Sequence, residues 1–205
     1  MQLRLPVVVV GGGLTAIDTA TEALAYYPVQ VEKFLKRYEI LTAVQGEAAI
    51  RDVWDAEEKE IANEFLSHAR AIRSEREAAE REGRIPRIIA LLQSWGGATI
   101  AYRKRLIDSP SYTLNHEEVE KALEEGIWFA EGLTPVRVNI DQWEHTQSVR
   151  FAVQKQDEAA QWQNAGEIEL PARALLVAAG TQPNTVLARE DEQIFKLDGR
   201  YFAAC

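Results

Sequence analysis

The run Val7-Val8-Val9-Val10 is apolar at every position, where a half-exposed strand would alternate. It predicts a strand buried on both faces, in the middle of a parallel sheet. Gly11-Gly12-Gly13 ends the strand. Apolar positions then take helical spacing, with Ile17, Ala20, Ala23 and Leu24 on one face of a helix from Thr15 to Leu24. Pro28 restarts a helix that carries Val31, Phe34, Leu35, Tyr38, Leu41 and Val44 on one face, and Gly46 ends it. From Glu47 to Glu82 there is neither glycine nor proline. Apolar residues there recur in helical steps with one wider gap, at Ile50, Val53, Trp54, Ile61, Phe65, Ala69 and Ile72. This predicts one long amphipathic helix, almost wholly polar from Arg73 onward. Gly83 stops it, Arg84 to Trp95 forms a shorter helix, and Gly96-Gly97 closes the segment.

The next strand is Ala98 to Tyr102. Ser109-Pro110 opens a loop, and Asn115 then caps a helix with Glu118 at the capping-box position; that helix runs through Val119, Ala122 and Leu123 to Gly126. Ile127-Trp128-Phe129 is a short third strand. From Pro135 the pattern alternates, over 136–138, 148–153 and 167–170, which predicts an antiparallel meander with Trp143 and Trp162 covering an edge. Arg173 to Gly180 reads as a second fully buried strand, ending in the small-residue turn Gly180-Thr181-Gln182-Pro183-Asn184, and Leu197 to Tyr201 as a hairpin turn. The fold class is therefore α/β, a Rossmann-like parallel sheet with an antiparallel β-meander crossover and a long helical insertion. Residues 1–28 and 96–205 form the nucleotide-binding domain, and 29–95 the inserted arm. The arm has two readings, a helical hairpin packed on the flank with solvated charges, or a docking arm for another domain or subunit.

Strand, glycine turn and helix give the three glycines chemical meaning. Gly11-x-Gly13-x-x-Ala16 is the G-x-G-x-x-A form of the dinucleotide fingerprint. Gly11 makes the turn, Gly13 lets a pyrophosphate approach the backbone, and Ala16 lets helix and strand pack. The pyrophosphate would rest on the free N–H groups of the helix start. At the end of the second strand an acid would select NAD through the ribose 2′-OH, whereas a cation pairs with a 2′-phosphate. Tyr102-Arg103-Lys104-Arg105 supplies three cations and no acid, which predicts NADPH. If the strand continues, Arg103 and Arg105 point to opposite faces, one to stack on adenine and one to hold phosphate. The other reading of these cations is a basic edge that resists aggregation.

Composition narrows the remaining classes. The 205 residues suffice for one good core, and 46% hydrophobic with 27% charged residues is ordinary for a globular protein. A formal net charge of −9 argues against a nucleic-acid surface, and no apolar run approaches a membrane span. The single cysteine, Cys205, rules out an internal disulfide framework or a cysteine-based metal site, which fits a reducing, cytoplasmic setting. His68, His116 and His145 lack metal-site spacing, and neither a nucleophile elbow nor a P-loop lysine is present. Both ends read as cut, so the chain is expected to be a domain of a longer protein.

Together the stretches Val7 to Ala20, Thr99 to Arg105, Glu117 to Phe129 and Leu170 to Asn184 resemble the NADPH-binding domain of FAD-dependent pyridine nucleotide-disulfide oxidoreductases, in their glutamate synthase small-subunit-like branch. The resemblance implies that Gly11, Gly13, Leu14 and Thr15 contact the pyrophosphate. It implies that Arg103, with one of Lys104 or Arg105, holds the 2′-phosphate. Ala178, Ala179 and Gly180 would lie beside the nicotinamide ribose, and Thr181, also a cofactor contact, would open the seam to a flavin-binding domain. Hydride would pass from NADPH to FAD, the FAD carried by that other domain of the parent chain, so the fragment alone is expected to be inactive. The 29–95 arm, Arg173 where the family has an acid, and the missing flavin half are departures from the pattern. A degenerate Rossmann-like assembly module without cofactor, meeting a second copy or a partner subunit through the arm, stands as the alternative.

Overall fold

The computed structural model describes residues 2–157, 161–180, 184–191 and 194–203. Its elements are β1 (Val7–Val10), α1 (Leu14–Gln45), α2 (Glu47–Arg51), α3 (Ala56–Glu82), α4 (Ile88–Ser94), β2 (Ala98–Tyr102), α5 (Pro110–Glu124) and β3 (Trp128–Glu131). They continue with β4 (Leu133–Ile140), β5 (Thr146–Gln156), β6 (Trp162–Pro171), β7 (Ala174–Val177), α6 (Val186–Glu190), β8 (Leu197–Asp198) and β9 (Tyr201–Phe202). The fold is α/β. A parallel sheet in the order β3-β2-β1-β7 is joined by an antiparallel meander β4-β5-β6, and β8 and β9 form the expected hairpin. Among the described residues no helix is long and apolar enough to cross a membrane.

The four valines explain the layering. β1 is central, its Val8 opposite Thr99 on one side and Leu175 on the other. Val7 and Val9 enter the large core under the helices, with Ala16, Ile17, Ala20 and Leu24 of α1 and Val119 and Ala122 of α5. Val8 faces the other way, into a second core with Ala101, Leu133, Val149, Phe151 and Ala172. Helices cover one face of the sheet and the meander the other, so each face needs apolar residues and alternation disappears.

Four sequence expectations need correction. Pro28 restarts nothing: α1 is one helix of 32 residues with Pro28 inside it. An interior proline costs about 3 kcal/mol. Tyr27, Val31 and Leu35 around it are almost fully buried, and each such burial contributes roughly 1.5–3 kcal/mol, so packing outweighs the lost hydrogen bond. The long helix expected over 47–82 is two, because the chain turns at 52–55 to fold Trp54 back onto α1, where its ring stacks on Tyr38 at 5.9 Å. Asp55 then starts α3 with a capping box: its Oδ1 accepts from the Glu58 N–H at 2.8 Å, and Glu58 Oε2 accepts from the Asp55 N–H at 3.0 Å.

The other two corrections lie beside the cleft. Ser109-Pro110 does not open a loop but begins α5, Ser109 Oγ accepting from the Tyr112 N–H at 3.1 Å; Asn115, non-helical at φ −151° and ψ 69°, marks a kink between two helical stretches, so the helix expected to start there is the second of them. The strand expected over 173–180 is β7, which is half-buried rather than fully buried, with Val177 74% exposed, because β7 is an edge strand among the described residues.

Residues 29–95 share the core of the sheet: Ile61, Phe65, Leu66, Ala69 and Ile72 belong to the same buried cluster as Val7 and Val9. Charge also ties α3 down. Arg4, nearly buried, donates to Glu64 and Glu60, and Arg173 donates to Glu60 at 3.1 Å and to Asp141 at 2.8 Å. Arg173 thus joins the start of β7 to both α3 and the meander. His68 stacks on Trp95 at 3.8 Å, and its Nδ1 lies 2.6 Å from the Tyr27 hydroxyl, linking α3, α1 and the approach to β2.

Candidate functional site

The three glycines are bare for three different reasons. A Cβ on Gly11 would run into the Ala178 carbonyl oxygen and lie 2.9 Å from the Ala16 Cβ, so this glycine is set by the close approach of β1, β7 and α1. A Cβ on Gly12 would collide with the ring of Tyr102, the last residue of β2. A Cβ on Gly13 would meet nothing within 4 Å. Gly13 alone opens onto free space, and its own conformation is extended (φ −101°, ψ 177°), a region any residue adopts.

Gly13 is the N-cap of α1, and no acidic residue occupies the first turn. The Ala16 N–H is taken by the Gly13 carbonyl at 2.9 Å. The N–H groups of Leu14 and Thr15 have no partner within the helix, and the positive end of its dipole lies there. The preceding peptide is braced from α5: the Gly12 carbonyl accepts from the Ser111 N–H at 3.2 Å and from its hydroxyl at 3.1 Å. Ser109 and Ser111 are buried with their hydroxyls 3.0 Å apart. Because the peptide is planar and trans, fixing the Gly12 carbonyl toward Ser111 aims the Gly13 N–H the opposite way.

A cleft of about 490 Å³ opens above this turn. Its floor is Val10 to Gly13 with Thr15. One wall is Ala101, Tyr102 and Arg103, another Leu133 to Pro135 of β4 with Pro110 of α5 nearby, and the third Ala178 to Gly180. The cleft lies beyond the carboxyl ends of β1, β2 and β7. Since β2 and β7 flank β1 on opposite sides, it sits where the strand order reverses, the usual ligand position in an open α/β sheet. Arg103 is the one charged side chain among the lining residues.

The basic edge is divided. β2 ends at Tyr102, so Arg103 to Arg105 do not continue it and the opposite-face geometry expected of them is not formed. Arg103 lines the cleft; Lys104 and Arg105 do not. The Lys104 carbonyl accepts from the Gly132 N–H at 3.1 Å. Arg105 grips Asp108 with two bonds, Nε to Oδ2 at 2.8 Å and Nη2 to Oδ1 at 2.9 Å. Those bonds hold the Asp108 carboxyl below its ordinary range and push the Arg105 guanidinium up. Of the remaining expected residues, Leu14 turns its side chain into the core, so only its backbone faces the turn. The Ala178 N–H is taken by Val10 at 2.8 Å, Ala179 and Gly180 are exposed at the rim, and Thr181 lies outside the described residues.

Tyr102, Ser109, Ser111 and the Leu133–Pro135 wall were not among the site residues expected from the sequence. Ser-Pro is itself a helix-start signal, serine at the N-cap and proline at the first helical position, and would have placed the serine pair. Among the described residues no group of three acidic, histidine or cysteine side chains could hold a metal ion.

No family model matches the chain. The chain is similar to the uncharacterized protein RP006 of Rickettsia prowazekii (strain Madrid E), at 41% identity over 153 residues. The match covers 75% of this chain and 19% of that protein, so the chain spans about a fifth of its relative's length.

Proposed function

We propose that this chain is the NADPH-binding domain of a multidomain FAD-dependent oxidoreductase, a reading carried by the bare floor at Gly13. An extended N-cap with open space above it stands at the positive end of a 32-residue helix and opens into a cleft of about 490 Å³. A diphosphate needs those properties together: close backbone approach, unpaired N–H donors and no competing carboxylate. The Leu14 and Thr15 N–H groups would take the pyrophosphate, with the Thr15 side chain beside it in the cleft. Arg103, exposed at the wall, would pair with the ribose 2′-phosphate.

The small residues Ala178, Ala179 and Gly180 keep the opposite wall low, and Leu133, Thr134 and Pro135 close a third side against water. A flat ring fits between them, above the carboxyl ends of β1 and β7. When bound, NADPH supplies the hydride, and a flavin on another domain is the acceptor this reading requires. Among the described residues the cleft lining holds no carboxylate or histidine, and the work this reading asks of the domain is to bind and orient.

Calorimetric titration of the chain with NADPH and with NADH at low salt tests the reading. The expected result is binding of both with a clear preference for NADPH. Equal affinities would remove the phosphate-reading role of Arg103, and binding of neither would overturn the cofactor reading altogether.

A further inference from the structure

We propose that Asp108 is a specificity-determining residue: it keeps Arg105 engaged and off the ligand, so that discrimination for a 2′-phosphate rests on Arg103. The inference depends on the cleft being an NADPH site, and it concerns how strongly that site prefers NADPH over NADH. In sequence Arg103, Lys104 and Arg105 form one block of positive charge. In space Arg103 borders the cleft, while one fork of the Arg105 guanidinium, its Nε and Nη2, is already filled by the two Asp108 oxygens at 2.8 and 2.9 Å. A bidentate carboxylate occupies the same donors, in the same plane, that a phosphate approaching side-on would use.

Asp108 is held on a braced turn. It closes the short 3₁₀ turn Leu106–Asp108, three residues beyond Arg105. The Leu106 N–H donates to Glu131 Oε1 at 2.6 Å, and the Ser109 N–H donates to the Leu106 carbonyl at 2.9 Å. Ser109 in turn caps α5 and touches Ser111, which fixes the Gly12 peptide. The turn that presents Asp108 is therefore anchored to the same elements that shape the glycine floor. Glu131, at the end of β3, is the second carboxylate near this edge, and its charge also favours the protonated Arg105. Two carboxylates against three cations leave one net positive charge, and among the described residues Arg103 has no ion-pair partner.

A phosphate that captured Arg105 through its Nε and Nη2 would first have to displace Asp108, exchanging one fork of charged hydrogen bonds for another. Capture of Arg103 breaks no existing pair. Exposed ion pairs hold only weakly, so the restraint on Arg105 is a tuning of affinity and not a block.

The test is a titration of adenosine 2′,5′-bisphosphate, NADPH and NADH into the unmodified chain, Arg105→Ala, Asp108→Asn and the double variant. Arg105→Ala is expected to leave all three affinities unchanged. Asp108→Asn is expected to tighten the two 2′-phosphate ligands by about three- to fivefold and to leave NADH unchanged, the scale of one exposed ion pair. The double variant should return to the unmodified affinities. The inference is overturned if Arg105→Ala alone weakens NADPH, if Asp108→Asn changes nothing, or if its gain survives loss of Arg105. If the unmodified chain binds none of the three ligands, the NADPH reading itself fails and takes this inference with it, a result distinct from the other failures.

Discussion

Alanine at Gly13 and at Gly11 separates ligand binding from packing. At Gly13 the backbone is extended and the new methyl would touch nothing in the chain. Restricting the unfolded chain contributes about 0.4–1 kcal/mol of stability, while alanine is a poorer N-cap than glycine by an amount of the same order, ~1 kcal/mol. The two effects offset, and the melting temperature should stay within a few degrees. The methyl does stand where the proposed pyrophosphate would meet the Leu14 and Thr15 N–H groups. Losing one charge-assisted hydrogen bond there costs about 1.5–3 kcal/mol, roughly 10- to 150-fold in NADPH affinity. At Gly11 the same methyl collides with a strand carbonyl and the Ala16 side chain, neither of which is a flexible end. Overpacking of that kind costs about 1–3 kcal/mol, or roughly 2–12 °C at this chain length. Thermal melts by circular dichroism and NADPH titration by calorimetry read the two axes separately. Gly13→Ala with native NADPH affinity would refute the argument, as would Gly13→Ala melting below Gly11→Ala.

Arg103→Ala should weaken NADPH by about tenfold or more while NADH changes little, and the melting temperature should hold, since the side chain is exposed; equal effects on the two dinucleotides in the same titration would sink the phosphate role. Ser111→Ala leaves the Gly12 carbonyl without its buried hydroxyl donor, which should cost about 1–2 kcal/mol in a denaturant melt and loosen NADPH binding, whereas a variant with unchanged melt and affinity would show that the brace is idle. Burial lowers the His68 pKa below its ordinary 6.5, so the unfolded chain takes up that proton more readily than the folded one. The stability this neutral histidine contributes is present above pH 6.5 and lost as pH falls through and below it. Melting temperature measured from pH 8 to 5 should therefore drop at the acid end, and His68→Gln should flatten that drop. An unchanged slope in His68→Gln would remove His68 as its source.

The parallel sheet was legible because its signal is local. Four consecutive valines can be satisfied only by burial on both faces, and the two cores that divide Val7 and Val9 from Val8 are the physical form of that pattern. The meander was equally plain, since alternation survives wherever one face is wet. Pro28 and the 52–55 turn were misread because their outcome is decided by partners distant in sequence. Nothing near Pro28 tells that Phe65 and His68 will pack on Tyr27 from α3 and hold the helix through a proline. The turn at 52–55 did leave a trace, an acid at the cap and a glutamate three residues on, but the apolar spacing on either side outweighed it.

The candidate site shows the same division at finer scale. A glycine spacing marks positions where a side chain is not tolerated, and it cannot tell whether the excluded atom would strike the protein or the ligand. Here Gly11 is bare for Ala178 and Ala16, Gly12 for Tyr102, and only Gly13 for the space above it. A run of three cations is ambiguous in a parallel way: it gives the charge and not its availability. Asp108, three residues beyond Arg105, pairs with one of those cations from a turn braced by Glu131 of another strand. Both ambiguities are resolved by contacts across the sheet. On the proposed reading the ligand-facing part of the motif reduces to one glycine, two backbone N–H groups and one arginine, and substitutions confined to those positions are the ones that should change binding without changing the fold.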